Sequence, residues 1–167
     1  MIRVISAFPG CGKTHFHNKH GIMSDYWTLD SDSSKFDKAN FPQNYLEHIK
    51  KSLEDKCRFI FVSSHKPVRE ELVKEGIKFA LVYPDIKLKD EYIQRYKDRG
   101  SNETFVKLLK TNYENWIAEL TIQGGCEHIV LQSGQYLSDV IDKIKNLWET
   151  FIIKILITSL TISRMRI

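Results

Sequence analysis

The sequence lacks most of the features that mark a specialised class of protein. It contains only three cysteines, Cys11, Cys57 and Cys126, an odd number without the spacing of a metal site. We therefore expect reduced thiols and a cytoplasmic location. The chain has no internal repeat, low-complexity segment or evident linker, and we expect no signal peptide because a glycine-rich motif begins within the first ten residues.

Charge of one sign is not concentrated in any segment. The formal net charge is +4 and the pI is about 8.9, so the chain is mildly basic, which suits an anionic ligand such as a nucleotide. The 25 lysines and arginines are spread along the chain. Nucleic-acid-binding proteins usually cluster such residues on one face, so this distribution argues against a nucleic-acid partner.

A long apolar run is found only at the C-terminus. Residues 148–167 are rich in Ile, Thr and Ser, but Lys154 interrupts the run, and the segment is too short for a membrane span. We predict one domain over residues 1–150 and an apolar C-terminal helix or tail over residues 151–167. The alternative, a membrane anchor, is disfavoured.

Short apolar runs alternate with helical periods in the rest of the chain. Two runs in the middle show no polar alternation, which is typical of strands buried on both faces. Five strands separated by helices need crossover connections, which indicates an α/β domain with a parallel sheet covered on both faces. The predicted strands are 2–6, 26–29, 58–64, 77–84 and 128–132.

The motif AFPGCGKT occupies residues 7–14, between the first predicted strand and a helix. A phosphate-binding loop needs glycines where a side chain would collide, a lysine that reaches the β and γ phosphates, and a hydroxyl that binds Mg²⁺. Ala7 replaces the first glycine of the usual pattern, but a methyl group at the end of a strand demands little space. ATP binding is therefore predicted at Gly10, Cys11, Gly12, Lys13 and Thr14, with Thr14 on Mg²⁺.

Two aspartates end the second predicted strand. Asp30 and Asp32 lie two residues apart, so an extended backbone points both side chains the same way. At the carboxyl end of a parallel strand they would face the crevice where such sheets bind ligands. One of them could hold magnesium through water or accept a hydrogen bond from a substrate hydroxyl, with Asp30 the catalytic candidate. The alternative is that the segment DSDSS only forms a turn or a helix cap.

Two arginines follow the fourth predicted strand, in the segment RYKDRG. Arg95 and Arg99 are four residues apart and share one helix face. Guanidinium groups stabilise the charge that develops on phosphoryl oxygens, so both are candidate catalytic residues. The alternative is a solvated helix in which Glu91 pairs with Arg95.

With these motifs in this order, the chain resembles the small P-loop kinases: the nucleoside monophosphate kinases, adenylate kinase and their shikimate- and gluconate-kinase relatives. The resemblance extends over roughly residues 1 to 148, although only AFPGCGKT is specific. It implies a three-layer P-loop NTPase fold with a five-stranded parallel sheet in the order 2-3-1-4-5. It also implies a short lid near residues 88–104, whose arginines cover the transferred phosphate.

The resemblance further implies substrate contacts after the third strand, where His65 and Arg69 would reach a monophosphate. Lys35 and Lys66 are further cationic candidates, and the turn Gln132–Gly134 would pack on the adenine. One departure concerns the metal, because the family's aspartate at the end of the third strand is missing. Ser63 or Ser64 could complete the magnesium shell through water instead.

The resulting hypothesis is ATP- and Mg²⁺-dependent phosphoryl transfer to a small molecule, a nucleoside or deoxynucleoside monophosphate in the first place. An uncharged alcohol is the other acceptor class, and it would depend more on Asp30 as a base. A nucleotide-binding regulatory ATPase is a second hypothesis, which the missing aspartate favours. A polynucleotide 5′-end kinase is a third, which the modest net charge disfavours. The acceptor's base and sugar and the oligomeric state stay open.

Overall fold

A computed structural model describes residues 2–21, 27–55 and 57–146, so the predicted C-terminal helix or tail at 151–167 lies outside the described residues. None of the helices in the described ranges is long and apolar enough to cross a membrane. Strands and helices alternate along the chain: β1 Val4–Ala7, α1 Lys13–His20, β2 Thr28–Asp30, α2 Gln43–Glu54, β3 Phe59–Ser63, α3 Lys66–Lys74, β4 Phe79–Pro84, α4 Lys89–Asp98, α5 Glu103–Thr121 and β5 Glu127–Leu131. A further helix, α6, covers residues 137–146.

The five strands form one parallel sheet in the order β2-β3-β1-β4-β5, which confirms the predicted fold. The central strand β1 pairs on both sides, and Val4 stands opposite Ile60 of β3 and Phe79 of β4. Because all strands run the same way, their carboxyl ends meet at one edge of the sheet. The glycine-rich loop, residues 7–14, is at the middle of that edge.

The core lies where the apolar runs show no alternation. All residues of β1 and β4 are buried, as are residues 59–62 of β3, and Ile5, Ile60 and Leu81 have no exposed surface. Strand β5 differs, because it lies at an edge and exposes three of its five residues. Helix α2 buries Tyr45, Leu46 and Ile49, which lie on one face at helical spacing.

The predicted lid region, residues 88–104, is mostly helical. Helix α4 ends at Asp98, and α5 begins at Glu103 after a turn that includes Gly100 with φ 74°. The Asn102 side chain caps α5 by accepting a hydrogen bond from the Phe105 N–H at 2.7 Å. Residues 99–102 are therefore the part of this region that lies outside regular helix.

Candidate nucleotide-binding site

The glycine-rich loop depends on two glycines for its shape. Gly10 and Gly12 have φ angles of 84° and 94°, a region that L side chains rarely adopt. Aromatic rings also lie against both positions. A Cβ atom at Gly10 would be 3.2 Å from the Tyr96 ring, and one at Gly12 would be 3.3 Å from the Tyr136 ring. Substitution at either glycine would therefore disturb both the backbone and its packing.

Backbone hydrogen bonds fasten the loop to its surroundings. The Phe8 N–H donates to the Val82 carbonyl at 2.8 Å, which joins the loop to β4. The Leu137 N–H donates to the Cys11 carbonyl at 2.8 Å, which joins the loop to the start of α6. The loop is thus held from two sides before any ligand binds.

Cys11 contributes its backbone to this loop, while its side chain is part of the core. The thiol is fully buried, with Sγ 3.4 Å from the Tyr92 hydroxyl. Burial raises the pKa of Cys11 to about 11, against the smaller opposing effects of the Tyr92 hydrogen bond and of the charges on Lys13 and Arg95. The side chain is therefore a neutral thiol at physiological pH.

Lys13, at the start of α1, folds back over the end of β1. Its Nζ donates to the Ala7 carbonyl at 2.6 Å. Burial lowers the pKa of Lys13, and the nearby Arg99 charge lowers it further, whereas the carboxylates of Asp30 and Asp32 act in the opposite direction. A partly buried ammonium group gains from an anionic ligand beside it, because the ligand stabilises the charged form that desolvation disfavours.

Thr14 and Asp30 are brought together across the sheet edge. The Thr14 hydroxyl donates to Asp30 Oδ2 at 2.6 Å, so α1 contacts the carboxyl end of β2. A hydroxyl and a carboxylate are oxygen ligands of the kind that Mg²⁺ prefers. These two residues therefore fit a magnesium ion, whose remaining ligands would be phosphate oxygens and water.

Asp32 has different partners from Asp30. Its Oδ1 accepts a hydrogen bond from the Ser34 N–H at 2.9 Å and so caps a short 3₁₀ helix, Ser33–Lys35. Hydrogen bonding to Ser34 holds the pKa of Asp32 below its ordinary value. Asp32 and Lys35 are both exposed, so this segment combines a capping role with side chains that face solvent.

Tyr45 links the ends of β2 and β3, a role that the sequence does not reveal. Its buried hydroxyl donates to the Ser31 carbonyl at 2.6 Å and accepts from the Ser63 N–H at 3.2 Å. Ser63 Oγ in turn accepts a hydrogen bond from the His65 N–H at 3.2 Å. No motif in the sequence marks Tyr45, because its partners Ser31 and Ser63 lie in other segments of the chain.

His65 lies beside the charges of the site. Partial desolvation and the nearby Lys13 and Arg69 cations lower the pKa of His65. The imidazole is therefore neutral at pH 7, although its outer side is exposed to solvent. Its predicted contact with an acceptor phosphate stays a prediction.

Arg69 is buried rather than available at the surface. The side chain is 2% exposed, and Nε donates to the Ser64 carbonyl at 2.9 Å. Its other two nitrogens contact the side chains of Gln123 and Glu119, at and just beyond the end of α5. A contact with a substrate phosphate would require these bonds to break, so the structure uses Arg69 to join α3 to α5.

Arg95 and Arg99 occupy different surroundings despite their shared helix face. Arg95 is 11% exposed and donates to Glu91 at 2.5 Å and to the Gln135 carbonyl at 3.0 Å. Arg99 is exposed, with its guanidinium carbon 5.2 Å from the centre of the Tyr96 ring. Arg99 is the arginine of the pair that faces solvent near Lys13, whereas Arg95 is part of the packing.

The turn after β5 is held by Glu91, a residue that the sequence marks only as a possible partner of Arg95. Glu91 Oε2 accepts from the Ser133 hydroxyl at 2.8 Å, and Oε1 accepts from the Gly134 N–H at 3.0 Å. Burial acts to raise the pKa of Glu91, but these bonds and the Arg95 charge together outweigh it and hold the pKa below its ordinary value. The predicted base contact of this turn stays a prediction.

The fold and the site together define a parallel α/β protein with a glycine-rich loop on its central strand and a lysine, a threonine and an aspartate beside that loop. Comparison with models of protein families and with curated proteins gives no match. The function is therefore inferred from the geometry of this site.

Proposed function

We propose that this protein is an ATP- and Mg²⁺-dependent phosphotransferase that acts on a small acceptor. The preferred acceptor class is a nucleoside or deoxynucleoside monophosphate. One observation carries the proposal. Thr14, in the glycine-rich loop, donates to Asp30 at 2.6 Å, beside a lysine held at the end of the central strand. Lysine, hydroxyl and carboxylate in this order are the groups that a bound triphosphate and its metal require.

The loop conformation supports binding of the donor phosphates. The positive φ angles of Gly10 and Gly12 bend the backbone ahead of α1, whose N-terminus carries a partial positive charge. Lys13 adds a full charge at the same end of the helix. An anion with several oxygens is the ligand best matched to this combination.

Asp30 would take the role of the carboxylate that is missing at the end of β3. Strand β2 pairs with β3, and Asp30 reaches Thr14 from this neighbouring strand. Magnesium bound here would neutralise part of the charge that develops on the phosphoryl oxygens during transfer. Asp30 and Thr14 would orient it, and Lys13 would contact the β and γ phosphates.

The acceptor class is inferred from the charges at the same edge. Lys35 follows β2 and Arg99 follows α4 as cations, the neutral imidazole of His65 follows β3, and Asp32 offers an acceptor for a hydroxyl proton. Cations together with one carboxylate suit an acceptor that carries both a phosphate and a hydroxyl or amino group. Transfer would proceed in line, without a covalent enzyme intermediate, since positioning and charge neutralisation are sufficient.

A regulatory ATPase is the second candidate, because serines end β3 where phosphotransferases of this type carry a carboxylate. The test is incubation with Mg·ATP and a panel of nucleosides, nucleoside monophosphates, deoxynucleoside monophosphates and 5′-hydroxyl oligonucleotides, with ADP measured. ADP formation that depends on one acceptor supports the kinase, and Lys13→Ala should abolish it. Slow ADP release that is indifferent to every acceptor would identify an ATPase instead.

A further inference from the structure

We infer that Glu91 and Arg95 are positioning residues that hold the turn after β5, residues 132–136, against the glycine-rich loop. By the resemblance to small P-loop kinases, this turn is the side of the site that receives the base of the donor nucleotide, so the two residues preform that side. This inference rests on the proposed function. It assigns to Arg95 a role other than direct contact with the transferred phosphate. It also gives a function to Glu91.

The Glu91 carboxylate holds the turn directly. Both of its oxygens are used by the turn: Oε2 accepts from the Ser133 hydroxyl at 2.8 Å and Oε1 from the Gly134 N–H at 3.0 Å. Hydrogen bonds to a charged acceptor are stronger than neutral ones. Glu91 therefore fixes two successive residues of the turn, Ser133 through the serine hydroxyl and Gly134 through the glycine N–H.

Arg95 lies one helical turn further along α4 and connects the turn to the glycine-rich loop. Its guanidinium donates to Glu91, to the Gln135 carbonyl at 3.0 Å and, over a longer 3.4 Å, to the Gly10 carbonyl. The same group stacks on Tyr136, with its central carbon 3.9 Å from the ring centre. Arg95 thus contacts the turn after β5 and the glycine-rich loop at the same time.

The contact between the two loops is completed by the turn itself. The Tyr136 ring covers Gly12, and the Leu137 N–H bonds to the Cys11 carbonyl at 2.8 Å. Helix α4 can act as a firm support for this arrangement because its Tyr92 and Tyr96 side chains are buried against the core. The spacing between the phosphate side and the turn is therefore set by α4 before nucleotide binds.

These contacts indicate different roles for Arg95 and Arg99. The charge of Arg95 is balanced by Glu91, and its nitrogens are engaged by two carbonyls. Arg99 is exposed four residues later. Arg99 is then the arginine that a bound phosphate recruits, whereas Arg95 shapes the donor site.

Calorimetry with Mg·ATP and with magnesium tripolyphosphate, which has no base or sugar, tests the inference. Glu91→Ala should weaken Mg·ATP binding roughly 10- to 150-fold, the loss that corresponds to one charge-assisted hydrogen bond. Tripolyphosphate binding should change less than twofold. Glu91→Gln, which keeps one acceptor oxygen, should fall between Glu91→Ala and the unchanged protein. Glu114→Ala is the matched control, because Glu114 of α5 pairs with Lys89 of α4 at 2.7 Å, a contact that does not involve the turn after β5, and the substitution should leave both affinities unchanged.

Hydrogen exchange of the protein without nucleotide gives a second, independent measurement. Amides of residues 133–137 should exchange faster in Glu91→Ala than in Glu114→Ala, while strands β1 and β4 keep their protection. Unchanged exchange in this turn would contradict the inference that Glu91 holds the turn in place. Equal loss of affinity for ATP and tripolyphosphate would contradict the inference that the turn acts on the base of the nucleotide. If the unchanged protein binds neither ATP nor tripolyphosphate but the exchange result is as expected, the proposed function is wrong while the structural role of Glu91 stands.

Discussion

Asp30 accepts a hydrogen bond from the Thr14 hydroxyl across 2.6 Å, and this contact brings the carboxyl end of β2 to the first turn of α1. Strand β3 ends in Ser63, so the carboxylate that contacts Thr14 comes from the neighbouring strand β2. The site is therefore assembled from three adjacent strands, β2, β3 and β1.

Replacement of Asp30 should impair metal use more than nucleotide binding. Asp30→Asn keeps the size of the side chain but removes its charge, so we expect the Mg²⁺ concentration for half-maximal activity to rise about tenfold or more and turnover to fall on the order of 10²-fold. ADP formation is measured across a magnesium titration. Asp32→Asn serves as the control, and an equal shift of its magnesium dependence would contradict the assignment.

Removal of the Arg99 guanidinium should affect the chemical step. Arg99→Ala should lower kcat by about 10³-fold, in line with other arginines that stabilise phosphoryl transfer, and leave the Kd for Mg·ATP within about twofold. Lys97→Ala removes an exposed charge from the same end of α4 and should have little effect. Loss of nucleotide affinity without loss of kcat would show that Arg99 serves binding instead.

Substitution of Glu119 should lower the free energy of unfolding more than substitution of its buried partner Arg69. Glu119→Ala leaves a buried cation whose remaining hydrogen-bond partners, within the part of the chain that the structure describes, are the Ser64 carbonyl and Gln123. This should lower the free energy of unfolding by about 2–4 kcal/mol, somewhat less than for a fully buried pair because Glu119 is 41% exposed. Arg69→Met should cost less, since Glu119 can turn to water.

Urea denaturation of the two variants decides this point. Lys50→Ala, which breaks an exposed pair with Glu75, should leave the unfolding midpoint almost unchanged. If Arg69→Met proves the more damaging substitution, packing of the arginine stem outweighs its charge, and the unpaired cation is not the main cost.

Cys11 should resist alkylation despite its place in the glycine-rich loop. With a pKa of about 11, only about one thiol in a thousand is ionised at pH 8, and the side chain has no exposed surface. Peptide mapping after iodoacetamide treatment at pH 8 should therefore find Cys11 unmodified in the folded protein and modified in urea. Rapid modification of the folded protein would indicate that the loop opens readily.

The sheet could be predicted from the sequence because its strands are buried on both faces, which leaves continuous apolar runs such as residues 59–62 and 79–82. The order of strands comes from the family resemblance, which AFPGCGKT makes specific. The positive φ angles of Gly10 and Gly12 follow from the same motif. The apolar strands and the glycine positions are local features, so a single segment of sequence contains the necessary information for each of them.

The roles of the arginines could not be predicted in the same way. Arg95 and Arg99 have the spacing of one helix face, yet one is packed against the turn after β5 and the other is exposed. Arg69 follows a strand end in the position expected for a substrate contact, but its partner Glu119 is fifty residues away. Such assignments depend on contacts between distant segments, which spacing along the chain does not report.

The place of β1 in the sheet determines which part of the site is lost first under stress. Strand β1 is paired on both sides, whereas the three-residue β2 is an edge strand that pairs only with β3 among the described residues. Local opening costs least free energy where backbone pairing is fewest, so β2 with Asp30 and Asp32 should detach before β1. A partly opened molecule would then keep the glycine-rich loop on its doubly paired strand while the contact between Thr14 and Asp30 is lost.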